Sequence, residues 1–556
     1  MTIEKKESIV YQIYPRSFFD SNNDGIGDLR GIIQKVPYLV ELGVNTVWLS
    51  PVYQSPMDDN GYDISDYCDI HPDYGTLDDM KALIETFHQH NIKLIMDLVI
   101  NHTSDEHPWF LESKSSKDND KRDFYIWRKG RKNNQKPPNN WTSFFTGKAW
   151  TYDATTEEYY LHLFSKKQPD LNWEHPPVRE AIKKFIQFWI DLGVDGFRCD
   201  VINLISKKPG LPNGKFNIAL VGKEHYANGP KVHDYLKDLN QELFQPNNTI
   251  TVGECVVVNP KEAFKYVSAA RQELDMVFHF EHMGVDNINN KWFIRPFKMH
   301  RLKKILDTWQ KGLEPDGWNT LYFENHDQPR SVSRFGNDSK YHYQSATMLA
   351  TVLYFQKGTP YIYQGQELGM TNARFEDLND YRDIETKNIY NIGRNTLKFT
   401  HKRMMKKIKY MSRDNARTPY QWDDSAHAGF TQGIPWIKLN PNYKDINLKA
   451  QQNHEHSILN YYKQLIDLRK KTPVFIDGDY KIIDLNHKKL YAYVRDSATH
   501  QALIVCNFSD EVLTVSFDET LKNCPWRTVL SNTQDTSNTL KETYQPYEAL
   551  VLMTDK

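Results

Sequence analysis

Short hydrophobic, β-rich runs alternate with amphipathic stretches along most of the chain. The runs predict strands at Ser8–Tyr14, Thr46–Ser50, Lys93–Ile100, Val194–Val201, Ile250–Cys255, Asp275–Phe280, Thr320–Glu324 and Thr359–Tyr363. Between them, Leu77–His90, Pro177–Leu192 and Gln344–Leu353 repeat apolar residues at helical spacing. Eight strands, each followed by helix, are the count of a closed parallel barrel. An open doubly wound sheet is disfavoured. Reactive residues end four different strands, which a barrel gathers on one face and an open sheet spreads along an edge.

Two stretches depart from this alternation. Thr103–Trp173 is rich in Lys, Asn, Pro and Trp, and a connection of that length predicts a small domain or lid of its own. From about Phe475 the pattern becomes strand-like without helices, at Tyr480–Leu485, Leu490–Arg495, Gln501–Phe508, Val512–Phe517 and Glu548–Met553. The expected architecture is an α/β chain. A (β/α)8 TIM barrel over 1–102 and 174–474 carries an inserted subdomain at 103–173, after the third strand. A C-terminal antiparallel β-sandwich occupies 475–556.

Composition narrows the function. The 556 residues hold 70 basic and 71 acidic side chains, so no polyanion is called for and a nucleic-acid partner is not expected. No apolar run approaches the ~18 residues of a membrane helix, and no secretory h-region follows Met1–Glu7. Five cysteines, without metal-type spacing, fit reduced, buried thiols in a cytoplasmic protein. Aromatic residues make up 13%, and sugar rings stack on such faces.

The strand ends supply the chemistry. Gly196-Phe197-Arg198-Cys199-Asp200 sets a cation and a carboxylate two residues apart, hence on one face of a strand. A neighbouring cation favours an ionised, low-pKa aspartate, suited to nucleophilic attack. Asp97–His102, Thr251–Glu254 and Tyr322–Asp327 close three further strands. Glycosidic hydrolysis needs this stock: one carboxylate to attack, one carboxylic acid to protonate the leaving oxygen, and donors for sugar hydroxyls. Glu254 ends a hydrophobic strand and precedes Cys255-Val256-Val257-Val258, which predicts apolar surroundings and a raised pKa. Asp97 reads as a support for Arg198.

These segments resemble those of glycoside hydrolase family 13, the α-amylase family. Further markers are Gln168-Pro169-Asp170-Leu171-Asn172, Gly43–Pro51 and Gly358-Thr359-Pro360, in the family's order over nearly the whole chain. The resemblance implies a retaining mechanism, with Asp200 as nucleophile, Glu254 as general acid/base and Asp327 as a third carboxylate that grips ring hydroxyls. It implies that His102, Arg198 and His326 contact the sugar in the −1 subsite. Asp58–Asp63 and Ser412–Pro419 resemble the pair of segments by which exo-acting α-glucosidases close the pocket behind the non-reducing sugar. An arginine bridge to Asp59, from Arg413 first and Arg417 second, would form that wall, and Tyr62 would offer a stacking face.

Val201, after the nucleophile, resembles the oligo-1,6-glucosidase branch, whereas maltose-preferring relatives tend to carry Thr or Ala there. Cys255-Val256-Val257 departs from the Met-Pro-Gly of many members of that branch, which bears on the +1 subsite. The implied activity is release of glucose from short α-1,6-linked oligosaccharides. Its alternatives are a trehalose-6-phosphate hydrolase, an α-1,4-preferring α-glucosidase and a sucrose-active relative. A non-catalytic transporter heavy chain would have lost its carboxylates, and all three are present here.

Asp20–Asp28 alternates oxygen side chains with glycines, as a hard-cation loop does, without the closing glutamate of an EF-hand. It resembles the calcium loop of the same branch, which implies a structural Ca2+ held by Asp20, Asn22, Asp24, Asp28 and the Ile26 carbonyl. The expected assembly state is a monomer or weak oligomer.

Overall fold

The computed structural model describes residues 1–217, 219–533 and 538–556. Eight parallel strands are present: β1 (Val10–Ile13), β2 (Thr46–Leu49), β3 (Lys93–Leu98), β4 (Gly196–Cys199), β5 (Ile250–Glu254), β6 (Met276–Phe278), β7 (Thr320–Leu321) and β8 (Thr359–Tyr363). They form one sheet in the order β6-β5-β4-β3-β2-β1-β8-β7. Chain neighbours are sheet neighbours in this order, as in a (β/α)8 barrel. Parallel strands covered on both faces read as continuous apolar runs, and β1, β2, β4, β5 and β8 are buried at every position.

Helices follow the strands: α1 (Leu29–Leu42), α2 (Leu77–Gln89), α3 (Pro176–Leu192), α4 (Val232–Leu239), α5 (Pro260–Val267), α6 (Met299–Gly312), α7 (His342–Tyr354) and α8 (Ile458–Lys471). Their limits are chemical. Asp28 caps α1 by accepting the Gly31 N–H, and Thr76 and Asp79 form a reciprocal capping box on α2. Gly43 ends α1 with φ at +91°, a left-handed turn that a side chain disfavours.

Several strands are shorter than the sequence predicts, β7 most of all. The Tyr322 carbonyl accepts from His282 Nε2 at 2.9 Å, and the Glu324 carboxylate is taken up by Ser331 and Arg330, so the chain leaves the ladder after Leu321.

The chain divides into two compact units. One, Trp48–Phe280 with Tyr381–Met404, holds β3 to β6. Within it, the 103–173 connection builds a three-stranded antiparallel sheet from Trp127–Arg128, Glu158–Leu161 and Trp150–Asp153.

The other unit is Met1–Val47, Glu281–Asp380 and Met405–Lys556. It holds β1, β7, β8 and a five-stranded antiparallel sheet of β9 (Asp479–Ile483), β10 (Leu490–Asp496), β11 (His500–Asn507), β12 (Arg527–Ser531) and β13 (Ala549–Asp555), in the order β9-β10-β11-β13-β12. The strand expected at Val512–Phe517 is reduced to Leu513–Thr514, paired with Thr543–Tyr544. On β10 the period-two alternation buries both faces. Leu490, Ala492 and Val494 enter the sandwich core beside Leu503, Val505, Leu550 and Leu552. Tyr493 and Arg495 turn the other way and donate to the Val352 and Phe355 carbonyls at the end of α7, 3.1 and 2.7 Å away.

The cysteines need a correction. All five are free, and Cys199, Cys255 and Cys506 are buried, but Cys68 is exposed and Cys524 half-buried. Cys68 sits on a short hairpin strand, Asp66–Ile70, with only one side covered.

Candidate active site

In the first unit, four carboxylate-bearing or cationic side chains converge at the ends of β3, β4 and β5. Arg198 is buried, and its Nη1 lies 2.6 Å from both Asp97 Oδ1 and Asp200 Oδ1. Its Nη2 lies 2.7 Å from Glu254 Oε2. Period-two geometry explains the Arg198–Asp200 pair, and the parallel register Asp97↔Arg198 brings β3 alongside. The Trp48 indole N–H donates to Asp97 Oδ2 at 2.8 Å, and the Tyr62 hydroxyl reaches the same oxygen at 3.3 Å. Asp97 is therefore the support expected of it.

Three carboxyls around one guanidinium cannot all ionise cheaply away from water. Burial pushes Asp97 up to about 6, against the pull of Arg198. The same holds for Asp200: burial raises it to about 6, although Arg198 and a hydrogen bond from Glu254 pull it down. The low pKa expected from its cation is thus corrected, because residue order shows the arginine but not the depth.

The setting of Glu254 also differs from expectation. Its Oε2 accepts from Arg198 and from the Val201 N–H at 3.1 Å. Of the apolar residues that follow it, Cys255 is buried and Val257 is 46% exposed. Val201 presents its N–H from a left-handed backbone at φ +36°, strained for a β-branched residue. Packing with Trp141, Leu163, Leu204 and Tyr226 holds it there.

His102 is buried at the end of the same wall. Its Nε2 is 3.2 Å from the Tyr62 carbonyl, and burial lowers it to about 4, so the ring is neutral near pH 7. Gln168 Nε2 donates to Asp59 Oδ2 at 3.2 Å and lies 3.3 Å from His102 Nε2. Behind His102, Lys207 Nζ pairs with Asp170 Oδ2 at 2.7 Å and donates to Asn101 Oδ1 at 2.9 Å. Sequence reasoning passed over Lys207. Its one signal was the pair Lys207-Lys208 shortly after the largely apolar 201–205.

The second unit presents its own cluster after β7. His326 Nδ1 faces Gln12 Nε2 at 2.8 Å, and its Nε2 lies 3.1 Å from Asp327 Oδ2. Arg413 Nη1 and Arg417 Nη2 both reach Asp327 Oδ1, at 3.0 and 2.8 Å. Burial pushes Asp327 up, but His326, Arg413 and Arg417 outweigh it and hold the carboxyl well below the usual range. The Tyr14 ring stacks on His326, with centroids 6.2 Å apart and planes 10° from parallel.

In the 20–28 loop the oxygens are engaged locally. Asp20 Oδ1 accepts the Asn22 and Asn23 N–H groups at 2.9 and 2.7 Å, Asn22 Oδ1 that of Asp24 at 2.9 Å, and Asp24 Oδ1 that of Ile26 at 2.8 Å. Asp28 caps α1 through Gly31. Among the described residues, no three acidic, His or Cys side chains gather closely enough to hold an ion. The donor set, all oxygen, is of the chemistry a hard cation takes, although Asp20 Oδ1 and Asp28 Oδ1 each already accept two hydrogen bonds.

Paired carboxyls on a shared cation at the ends of parallel barrel strands define a glycosidase-type site. Comparisons agree. The model of the alpha-amylase catalytic domain matches residues 12–478. The chain is 54% identical over 552 residues to an oligo-1,6-glucosidase of Parageobacillus thermoglucosidasius, with 98% of each covered. It is 43% identical to a trehalose-6-phosphate hydrolase of Bacillus subtilis (strain 168), with 98% of this chain and 97% of that one covered. Among solved structures, a Bacillus licheniformis trehalose-6-phosphate hydrolase variant matches with TM-score 0.95 at 44% identity, and isomaltulose synthase from Klebsiella sp. LX3 with 0.95 at 40%, each covering 99% of both chains. The chain belongs to the alpha-amylase family, glycoside hydrolase family 13, and is an enzyme of that class.

Proposed function

We propose that this enzyme is a retaining, exo-acting α-glucosidase that releases glucose from the non-reducing end of isomaltose, panose and short isomaltooligosaccharides. The observation that carries the reading is that Asp200 and Glu254 share one buried guanidinium, Arg198. A retaining site needs its two carboxyls close, roughly 5–5.5 Å apart, without the intervening water of an inverting one, and the guanidinium they share supports that spacing.

Asp200 attacks the anomeric carbon while Glu254 gives its proton to the departing glycosidic oxygen, so one C–O bond forms as the other breaks. The resulting glucosyl ester of Asp200 is opened by water, whose proton returns to Glu254. Arg198 stays fixed throughout and offsets the charge on both carboxyls. His102 and His326 contact the sugar in the −1 subsite, and Asp327 grips its hydroxyls. Tyr62 supplies a stacking face, and a bridge from Asp59 to Arg413, or to Arg417, closes the pocket behind it. In this reading the catalytic barrel is 1–102 and 174–474, with 103–173 and 475–556 as its accessory domains.

The α-1,6 preference rests on Val201 and on the relatives at 48–54% identity that bear the name oligo-1,6-glucosidase. A Ca2+ held by Asp20, Asn22, Asp24, Asp28 and the Ile26 carbonyl would stiffen the loop after β1 and supply no chemistry to the reacting bond. Among the described residues no helix is long and apolar enough to cross a membrane, and we place the enzyme in the cytoplasm as a monomer or weak oligomer acting on small sugars.

Glucose release from isomaltose, panose, maltose, sucrose, trehalose and trehalose 6-phosphate tests the reading. Isomaltose and panose are expected to lead. Preference for maltose would overturn the linkage assignment, and glucose from trehalose 6-phosphate alone would overturn the substrate class.

A further inference from the structure

We propose that Arg330 is a positioning residue that sets the geometry of Asp327 and its two arginines; this rests on the reading of Asp327 as the hydroxyl-gripping carboxylate. Arg330 is fully buried, three residues beyond Asp327. Its Nη1 pairs with Glu324 Oε2 at 3.2 Å and donates to the Gln364 carbonyl at 2.7 Å. Its Nη2 makes a longer contact, 3.4 Å, with the Ala416 carbonyl, and the guanidinium lies 5.0 Å from the centre of the Tyr363 ring.

These partners belong to three segments that the site needs in register. Glu324 follows β7, and Ser331 also donates to it, through Oγ at 2.6 Å and N–H at 3.3 Å. The loop between Glu324 and Ser331, which presents His326 and Asp327, is therefore cross-linked at its base. Gln364 follows β8, and its side chain accepts the Tyr14 N–H at 2.8 Å, beside the ring that stacks on His326. Ala416 lies between Arg413 and Arg417, the two cations on Asp327. One planar fork thus joins the loop that carries the carboxylate to the loop that carries its counter-ions. A lysine ammonium in the same cavity could hold Glu324 but not the fixed fork to two carbonyls. Buried ion pairs of this kind add little net stability over apolar side chains of similar volume, so geometry is the stronger reason for an arginine here.

The test compares an aryl α-glucoside with its 2-deoxy counterpart in wild type, R330K, R330M, D327N and D200A. In all but D200A, which lacks the trapped nucleophile, competent sites are counted by covalent trapping with a slow fluorinated glucosyl donor, so that misfolded protein does not enter the rate. Hydrogen bonds to the sugar 2-OH that strengthen in the transition state make the wild type discriminate between the two substrates. R330M is expected to lose at least tenfold of that discrimination and about 10²-fold in kcat per competent site, the scale of an ~1 Å misplacement. R330K should recover part of both. Full discrimination and a per-site kcat within twofold of wild type in R330M would overturn the proposal, whatever the change in Tm. If D327N keeps the discrimination, or D200A keeps turnover, the reading of the site fails first and carries the proposal with it.

Discussion

Asp97→Asn separates electrostatics from architecture at the reacting centre. Asp97 Oδ1 and Asp200 Oδ1 share Arg198 Nη1 at 2.6 Å each, which puts the two oxygens within about 5 Å of one another. Unit charges ~5 Å apart at an effective dielectric of ~20 repel by about 3 kcal/mol, or roughly two pH units. Asp97 itself titrates near about 6, so its full charge acts on Asp200 only above that pH. The net effect expected is a fall of about one unit in the pKa of Asp200. Protonated Asp200 cannot attack, so kcat/KM drops as pH falls through this value. The assay is kcat/KM on isomaltose from pH 4 to 9. Wild type should show an acid limb near 6, where burial sets Asp200, and D97N a limb near about 5. Turnover should fall at every pH, because Arg198 loses an anchor. An acid limb that stays put, or moves up, would refute the charge argument while leaving the architecture untouched.

Other outcomes follow from the same contacts. Asp200→Ala and Glu254→Gln should each lower turnover by at least about 10³-fold, with circular dichroism and Tm close to wild type. Asp97 has a folded pKa above its ordinary 3.8; such a group costs nothing below that value and its full amount above about 6, so the Tm of D97N should improve relative to wild type from pH 4 to pH 7. Lys207→Met leaves Asp170 buried without its cation and should cost about 3–5 kcal/mol in denaturant unfolding, with Asp170→Asn on top recovering part. Val201→Thr should move the isomaltose-to-maltose ratio of kcat/KM toward maltose by at most about 1–3 kcal/mol. Chelation should lower the Tm of wild type and not of D24N, and added Ca2+ should restore it without changing kcat.

The barrel was legible because parallel strands covered on both faces leave continuous apolar runs, and Val10–Ile13 or Thr359–Tyr363 cannot be read as half-exposed. Their ends were less so. Val99 and Ile100 are as buried as β3 but no longer on the ladder, since burial continues into the rim where pairing stops. In the C-terminal sheet, β12 escaped notice because Arg527-Thr528-Val529-Leu530-Ser531 is polar at both ends and buries little besides Leu530.

At the site, residue types at strand ends pointed to Arg198, Asp200 and Glu254, and period-two geometry to the first pair. Long-range partners were out of reach. Nothing local to Lys207 announces Asp170, and nothing local to Arg330 announces Ala416, 86 residues on. The pKa of Asp200 departs from expectation for a related reason: a cation two residues away is visible in a string of letters, whereas burial is a property of the packed barrel.

The most direct measurement is the fate of the sugar itself. A slow fluorinated α-glucosyl donor should accumulate as an ester, and peptide mass spectrometry should find one glucosyl label on Asp200. Proton NMR of isomaltose hydrolysis should show α-glucose as the first-formed anomer. Label on Glu254, or no label together with β-glucose, would contradict the account.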